Sequence, residues 1–184
     1  MNKVIALWLR MTTALAQTGE WIGLLPLRLL LAWEFWEAGA MKVGGENWFG
    51  SVRDDFPFPF NLLPVDLSWF LATWTELLGG IGLALGLFTR FWSAGLIILS
   101  IVAIFGVHWP AEWNSLSELW QGYAVSDRGF GNYKLPLLFI AMLIPLLFFG
   151  AGKLSLDHAL SHRLRKRPNS AVQEPAVAGS LRRS

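Results

Sequence analysis

The sequence predicts an all-α integral membrane protein: a bundle of four spanning helices preceded by an amphipathic helix. Three observations carry this prediction. Hydrophobic residues make up 54% of the 184 residues and charged residues only 15%, which is more apolar surface than a soluble domain of this length can bury. The apolar residues collect into four runs of about the length that crosses a bilayer. Most Lys and Arg residues fall on one side of the membrane that these runs imply.

The first 20 residues, MNKVIALWLRMTTALAQTGE, are predicted to form an amphipathic helix on the cytoplasmic membrane surface. Arg10 interrupts a short apolar core and no small-residue cleavage site follows, so the segment lacks the pattern of a signal peptide. Apolar residues at helical spacing would face the lipid: Val4, Leu7, Trp8, Met11 and Leu15.

Four segments are predicted to span the membrane: residues 21–43, 67–88, 91–108 and 135–152. Pro145 is expected to bend the fourth span because its ring removes a backbone hydrogen bond. In the second span, Gly82 and Gly86 form a small-xxx-small pair, which predicts close packing against another helix.

The excess of Lys and Arg on one side predicts that both termini lie in the cytoplasm and that the protein is a multi-pass protein of the bacterial inner membrane. The two long outer loops, residues 44–66 and 109–134, are rich in Trp, Phe, Pro and Gly and are expected to form ordered caps. The predicted domains are residues 1–20, the membrane domain 21–157, and a basic, disordered tail 158–184. This tail has no folded basic face with stacking aromatic residues, which excludes a nucleic-acid-binding protein.

Four ionisable residues lie in one apolar run, RLLLAWEFWEAGAMK, of the first span. Lys42, at the outer end of the span, is expected to reach the lipid head groups with its long side chain. Arg28, near the inner end, is assigned a structural role or a lipid-phosphate contact, and Arg90 is placed in the same class of structural or lipid-facing charges. Glu34 and Glu37 lie too deep to reach water in this way.

A second deep carboxylate, Glu76, would lie at about the depth of Glu34, roughly 13–15 Å below the outer surface at a rise of 1.5 Å per residue. Glu37 and Met41 share the helical stripe of Glu34, and His108 would close the region from the outer side. These five residues are the candidates for a polar cavity. Because no cation is expected near the two deep carboxylates, at least one of them is expected to be protonated at neutral pH.

Three interpretations of this cluster remain open. Met41, His108 and Glu37 could bind a transition metal, for which copper suits a Met/His mixture. Carboxylates that exchange protons could serve a quinone or another substrate. Alternatively, the polar groups could only hold the helices together. His158 and His162 are interpreted as solvated tail residues. The lack of cysteine excludes disulfide exchange and thiolate-bound metals.

Two motifs resemble the DoxX family of small four-helix membrane proteins: the span-one run, and E-x-x-G-G-x-x-L-x-x-G-x-x-T-R in the second span. The resemblance covers roughly residues 26–152. The residues that match the family pattern are Arg28, Gly39, Lys42, Glu76, Gly79, Gly80, Leu83, Gly86, Thr89 and Arg90.

The long second outer loop and the closing FFGAGKLSLD resemble a narrower subgroup, which is encoded beside copper-binding, ribosomally made modified peptides and their maturation enzymes. This resemblance implies a non-catalytic accessory protein that helps to mature, export or handle such a peptide. Its implied partners are membrane lipid, the peptide and the maturation enzymes, and its implied ligand is copper.

Other relatives are subunits of thiosulfate–quinone oxidoreductases. The alternative is therefore a quinone-interacting membrane subunit of a redox complex. The absence of cysteine and of any cofactor motif argues against catalysis by this chain. The oligomeric state is left open, a homo-oligomer included.

Overall fold

The computed structural model describes residues 3–110, 112–123 and 131–165. In this part of the chain all regular structure is helical, which confirms the all-α prediction. The helices are α1 (Lys3–Ile22), α2 (Leu25–Gly44), α3 (Val65–Leu85), α4 (Thr89–Ala103) with a π-helical extension (Ile104–His108), α5 (Leu116–Gln121), α6 (Lys134–Phe149) and α7 (Leu156–Arg165). Four of these segments lie within four residues of the predicted span boundaries at both ends: α2, α3, α4 with its extension, and α6.

Local sequence explains where these helices start and stop. Pro26 lies in the first turn of α2, where its missing N–H costs no hydrogen bond. Pro64 precedes α3, and Gly86 ends it in the left-handed conformation with a φ of +63°, which favours glycine. Phe88 also has a positive φ, so the chain turns sharply between α3 and α4.

The long helices pack side by side around one apolar core. α2 packs on α3, α3 on α4 and α4 on α6, and contacts between α2 and α6 close the ring. The fully buried residues at the centre are leucines from all four helices: Leu31, Leu83, Leu96, Leu143 and Leu146.

Glycines set the spacing of α3 from its two neighbours. A Cβ at Gly80 would lie 2.9 Å from the carbonyl oxygen of Ala32, and a Cβ at Gly82 would overlap the indole ring of Trp92. Gly82 is therefore a packing glycine, as predicted. The same prediction is wrong for Gly86, which caps α3 beside the guanidinium group of Arg28.

The first outer loop is ordered, as predicted. Three single-turn 3₁₀ helices, Phe49–Ser51, Arg53–Asp55 and Phe60–Leu62, follow one another across it. Phe49 and Phe56 are buried, and their ring centroids are 5.3 Å apart in an edge-to-face contact. Residues 45–64 are called the aromatic cap below. Of the second outer loop, the structure describes α5 and its flanks but not residues 111 and 124–130.

The C-terminal end of α1 and the start of α7 lie at the opposite end of the molecule, where α1 contacts the segment that precedes α7. No residue of α1 is buried, and α1 is attached near its C-terminal end, where Glu20 forms an ion pair with Lys153. α7 extends to Arg165, into the segment for which disorder is predicted. The remainder of that prediction, residues 166–184, falls outside the described residues.

By length and apolar composition, one described segment is able to cross a bilayer: Thr89–His108, with a mean hydropathy of 2.0. α6 is also apolar but shorter.

Candidate functional site

A cavity of about 530 Å³ lies between α2, α3, α4 and α6 beneath the aromatic cap. Its ionisable residues are few. α2 contributes Glu34 and Lys42, α3 contributes Glu76, and the π-helical end of α4 contributes His108. Most of the remaining wall is apolar and much of it aromatic: Phe35, Trp48, Phe49, Phe56, Phe60 and Phe139.

Lys42 and Glu76 form an ion pair in the cavity wall. The ammonium nitrogen lies 2.8 Å from each carboxylate oxygen, and the two side chains are only 16% and 8% exposed. Gly39 makes the contact feasible, because a Cβ there would lie 3.1 Å from that of Glu76. The expectations that Lys42 reaches the head groups and that no cation lies near the carboxylates are both wrong. Lys42 turns inward instead and compensates a charge that burial would otherwise make costly.

Glu34 lies in the same cavity as Glu76, so the structure brings together the two deep carboxylates that depth counting places at one level. Glu34 is half-buried. Among the described residues its carboxylate has neither an ion-pair nor a hydrogen-bond partner. It therefore remains available to a ligand or to water.

Arg28 has a structural role at the other end of the bundle. It is 2% exposed, and it donates hydrogen bonds of 2.8–2.9 Å to four backbone carbonyl oxygens. Those of Leu83 and Ala84 lie at the C-terminal end of α3, where helix carbonyls lack partners. The others belong to Ala151 and Leu154, so Arg28 ties α2 to α3 and to the chain after α6. It does not face lipid.

Arg90 lies at the same end but is exposed. It donates one hydrogen bond of 3.2 Å to the carbonyl oxygen of Phe148, which agrees with a minor structural role. Nearby, Asp157 accepts hydrogen bonds from the backbone N–H groups of Phe88 and Thr89, the first donors of α4.

His108 ends the π-helical turn, a rare geometry that recurs at functional sites. Its Nδ1 is hydrogen-bonded to the side-chain oxygen of Asn132. With that oxygen as the acceptor, Nδ1–H is the donor, and in the neutral tautomer the lone pair of Nε2 is free. His108 is thus a fixed imidazole in the wall of the cavity.

Comparison with known proteins agrees with this arrangement. The sequence model of the DoxX family matches residues 23–109, a segment that contains Lys42, Glu76 and His108. The chain is 45% identical to an uncharacterised protein of Haemophilus influenzae over 139 residues. This alignment covers 76% of this chain and 83% of that relative. The chain belongs to the DoxX family. It is therefore a membrane protein of the DoxX type. No solved structure matches it.

In this DoxX protein the three predicted metal ligands do not meet in the cavity. Met41 is 66% exposed and Glu37 is exposed, and of the three only His108 lines the cavity. Within the described ranges, no three His, Cys, Asp or Glu side chains form a group able to hold a metal ion.

Two components of the cavity wall of this DoxX protein are not among the predicted site residues. The first is the aromatic cap, which is predicted as an ordered loop but not as part of the cavity, and whose Phe49 and Phe56 line the cavity. The clustering of aromatic residues in this loop is the sequence signal for it. The second is Ser68, whose Oγ is buried and has no hydrogen-bond partner within the described residues. A serine one turn into a helix carries no signal that would distinguish it in the sequence.

Proposed function

We propose that this DoxX protein crosses the bacterial inner membrane four times, with both termini in the cytoplasm. The distribution of side chains supports this topology, because polar residues are buried and large apolar residues are exposed. Ser93 and Ser100 of α4 are buried, whereas Phe91, Ile98 and Phe105 of the same segment are at least 46% exposed. An exposed apolar surface of this extent fits a lipid environment.

Two of the four charges of α2, Arg28 and Lys42, fit a spanning role. Arg28 and Lys42 both lie on the inward face, where backbone carbonyls or Glu76 satisfy them. The outward face instead carries apolar residues such as Leu29, Leu30 and Trp33, each about half exposed or more. Charged residues that are paired inside a bundle are the kind that membrane helices tolerate.

We further propose that the protein is a non-catalytic subunit that binds a lipid-soluble quinone in the cavity and serves a membrane redox complex. The cavity carries this proposal. Its volume of about 530 Å³ falls within the range of about 300–1,000 Å³ typical of small-molecule sites. Its aromatic walls suit a flat ring, and its few polar groups are of the kind that fix the orientation of a ligand.

The polar groups match the two redox forms of such a ring. The carbonyl oxygens of a quinone accept hydrogen bonds, which the Lys42 ammonium group is able to donate. The hydroxyl groups of the reduced form donate instead, and the Nε2 of His108 and the carboxylate of Glu34 are able to accept. The redox context follows from the resemblance to thiosulfate–quinone oxidoreductase subunits.

The test is a binding measurement on the full-length protein in lipid nanodiscs. A radiolabelled decyl-benzoquinone should bind saturably, at one molecule per protein, above the amount that dissolves in empty nanodiscs. Ala38 lines the cavity, so Ala38→Phe should weaken binding at least about tenfold, or 1.4 kcal/mol. Ala40→Phe, on the exposed side of the same helix, is the matched control and should bind normally. Uptake equal to that of empty nanodiscs would refute the quinone proposal.

The copper-peptide role implied by the subgroup resemblance also stays a proposal. Among the described residues only His108 of the predicted ligands lines the cavity, so the geometry favours the quinone. A copper-binding measurement on the same nanodisc preparation decides between the quinone proposal and the copper proposal. One copper ion bound per protein, lost in His108→Ala and retained in His158→Ala, would favour copper handling.

A further inference from the structure

A second depression lies beside the cavity, between α2 and α6, and has a volume of about 470 Å³. It is called the α2–α6 groove below. On α2 it is lined by Leu27, Leu30 and Glu34, which follow one another at spacings of three and four residues and so share one helix face. On α6 it is lined by leucines, Ala141, Met142 and Pro145. Among the residues that the structure describes, Glu34 is the only charged one in its wall.

The groove adjoins the cavity. Glu34, Leu135 and Phe139 line both, so these three side chains form the boundary between the two spaces, and a ligand that passes them would reach from one into the other. From Leu135 to Pro145 the α6 wall runs about 15 Å at 1.5 Å per residue. Leu30, Leu135 and Leu138 are 40–49% exposed, so the groove opens sideways, toward lipid, along its length.

We infer that the ligand of this protein is a long-chain amphiphile, whose hydrocarbon chain lies in the α2–α6 groove while its ring lies in the cavity. The inference rests on the proposed function and adds to it the site that holds the hydrocarbon chain of the ligand. An apolar groove of this length, which shares Glu34, Leu135 and Phe139 with an aromatic cavity, matches a molecule with a polar ring at one end and a chain at the other. The ligand would enter sideways from the bilayer, with its ring passing Glu34.

The chain gains no hydrophobic free energy when it moves from lipid into the groove, because lipid tails are as apolar as the groove wall. It should contribute measurable affinity through close van der Waals contacts with that wall. Two radiolabelled benzoquinones, one with a decyl and one with a methyl substituent, are compared on the full-length protein in nanodiscs. Each is corrected for its own partition into empty nanodiscs. We expect the corrected affinity of the decyl compound to be at least tenfold higher.

Two tryptophan variants locate the chain. Leu138 lines the groove and Leu137, its equally exposed neighbour on α6, does not. Leu138→Trp should abolish the advantage of the decyl compound and leave methyl-benzoquinone binding unchanged, whereas Leu137→Trp should preserve both. In addition, a photoreactive diazirine at the end of the decyl chain should label residues of α2 or α6 in the wild-type protein and lose that labelling in Leu138→Trp.

Equal corrected affinities for the two compounds, or a decyl advantage that survives Leu138→Trp, would overturn the chain assignment while leaving the quinone proposal intact. If neither compound binds, both proposals fall together.

Discussion

At the scale of single residues, the four ionisable groups in the apolar run of α2 have three different fates. Arg28 and Lys42 point inward and are satisfied, Glu34 faces the cavity, and Glu37 is exposed. The residue type matters at each position. The planar guanidinium group of Arg28 serves four carbonyl oxygens at once, whereas the single ammonium group of Lys42 meets both oxygens of one carboxylate.

The ion pair predicts a specific pattern of stabilities. Lys42→Met leaves Glu76 buried without a cation, and Glu76→Gln leaves Lys42 without its carboxylate, so each should cost about 3 kcal/mol. In the double variant no buried charge is left unpaired. Its cost should therefore be smaller than the sum by about 1–3 kcal/mol. The measurement is thermal unfolding of the purified variants in one detergent, with the exposed Glu37→Gln as a control that should not change Tm. Additive costs in the double variant would show that the pair is not coupled.

At the scale of the element, α3 owes its position to glycines that each meet a different neighbour. Gly80 approaches the backbone of α2, Gly79 meets the side chain of Leu96, and Gly82 meets Trp92. Backbone is the neighbour that adjusts least readily, because it cannot change rotamer. The contact at Gly80 is thus the one that most strictly limits the distance between α2 and α3, and with it the reach of Lys42 to Glu76.

A single methyl group should therefore have opposite effects at two positions. Gly80→Ala would place a Cβ 2.9 Å from the carbonyl oxygen of Ala32 and should destabilise the protein by about 1–3 kcal/mol. Gly95→Ala, in the interior of α4, meets only a side-chain carbon of Thr75 at 3.6 Å. It should be neutral or slightly stabilising, since alanine favours helix over glycine by up to about 1 kcal/mol. Unfolding temperatures in the same detergent give both values, and equal effects would contradict the backbone contact.

The helices could be predicted from the sequence because their apolar runs are long and are bounded by Pro, Gly or charged residues. The orientation of α2 about its own axis, and so the side of it that faces inward, is the part of the prediction that is wrong. Grouping Glu34 with Glu37 and Met41 gave a plausible stripe, but the inward face is Arg28, Leu31, Phe35, Gly39 and Lys42. The residues of this inward face also recur at spacings of three and four, and its two large apolar members, Leu31 and Phe35, mark it as the buried side. The aromatic composition of the first long loop predicts an ordered cap. The individual turns of this cap and the place of Phe49 and Phe56 in the cavity wall could not be predicted, because these turns have no periodic pattern.

At the scale of the whole molecule, the structure separates two ends. The aromatic cap, α5 and the cavity lie at one end, whereas the turn between α3 and α4, the Arg28 hydrogen bonds and the junction of α1 with Lys153 lie at the other. If the proposed topology holds, the cavity lies in the outer half of the bundle and α1 and α7 lie at the cytoplasmic surface. The apolar face of α1, with Leu7 and Trp8 at least 60% exposed, would then rest on lipid.

This orientation can be tested by labelling introduced cysteines. The chain contains no cysteine of its own, so there is no background labelling. Single substitutions Asp54→Cys, in the aromatic cap, and Ser161→Cys, on α7, introduce one thiol at each end, both at exposed positions. A maleimide that cannot cross the inner membrane should label Asp54→Cys in spheroplasts and should label Ser161→Cys only after the membrane is broken. The excess of basic residues at the α7 end is the physical reason for that orientation. Labelling of Ser161→Cys in intact spheroplasts, at a level equal to that in broken membranes, would place α7 outside and reverse the assignment of the cavity to the outer half.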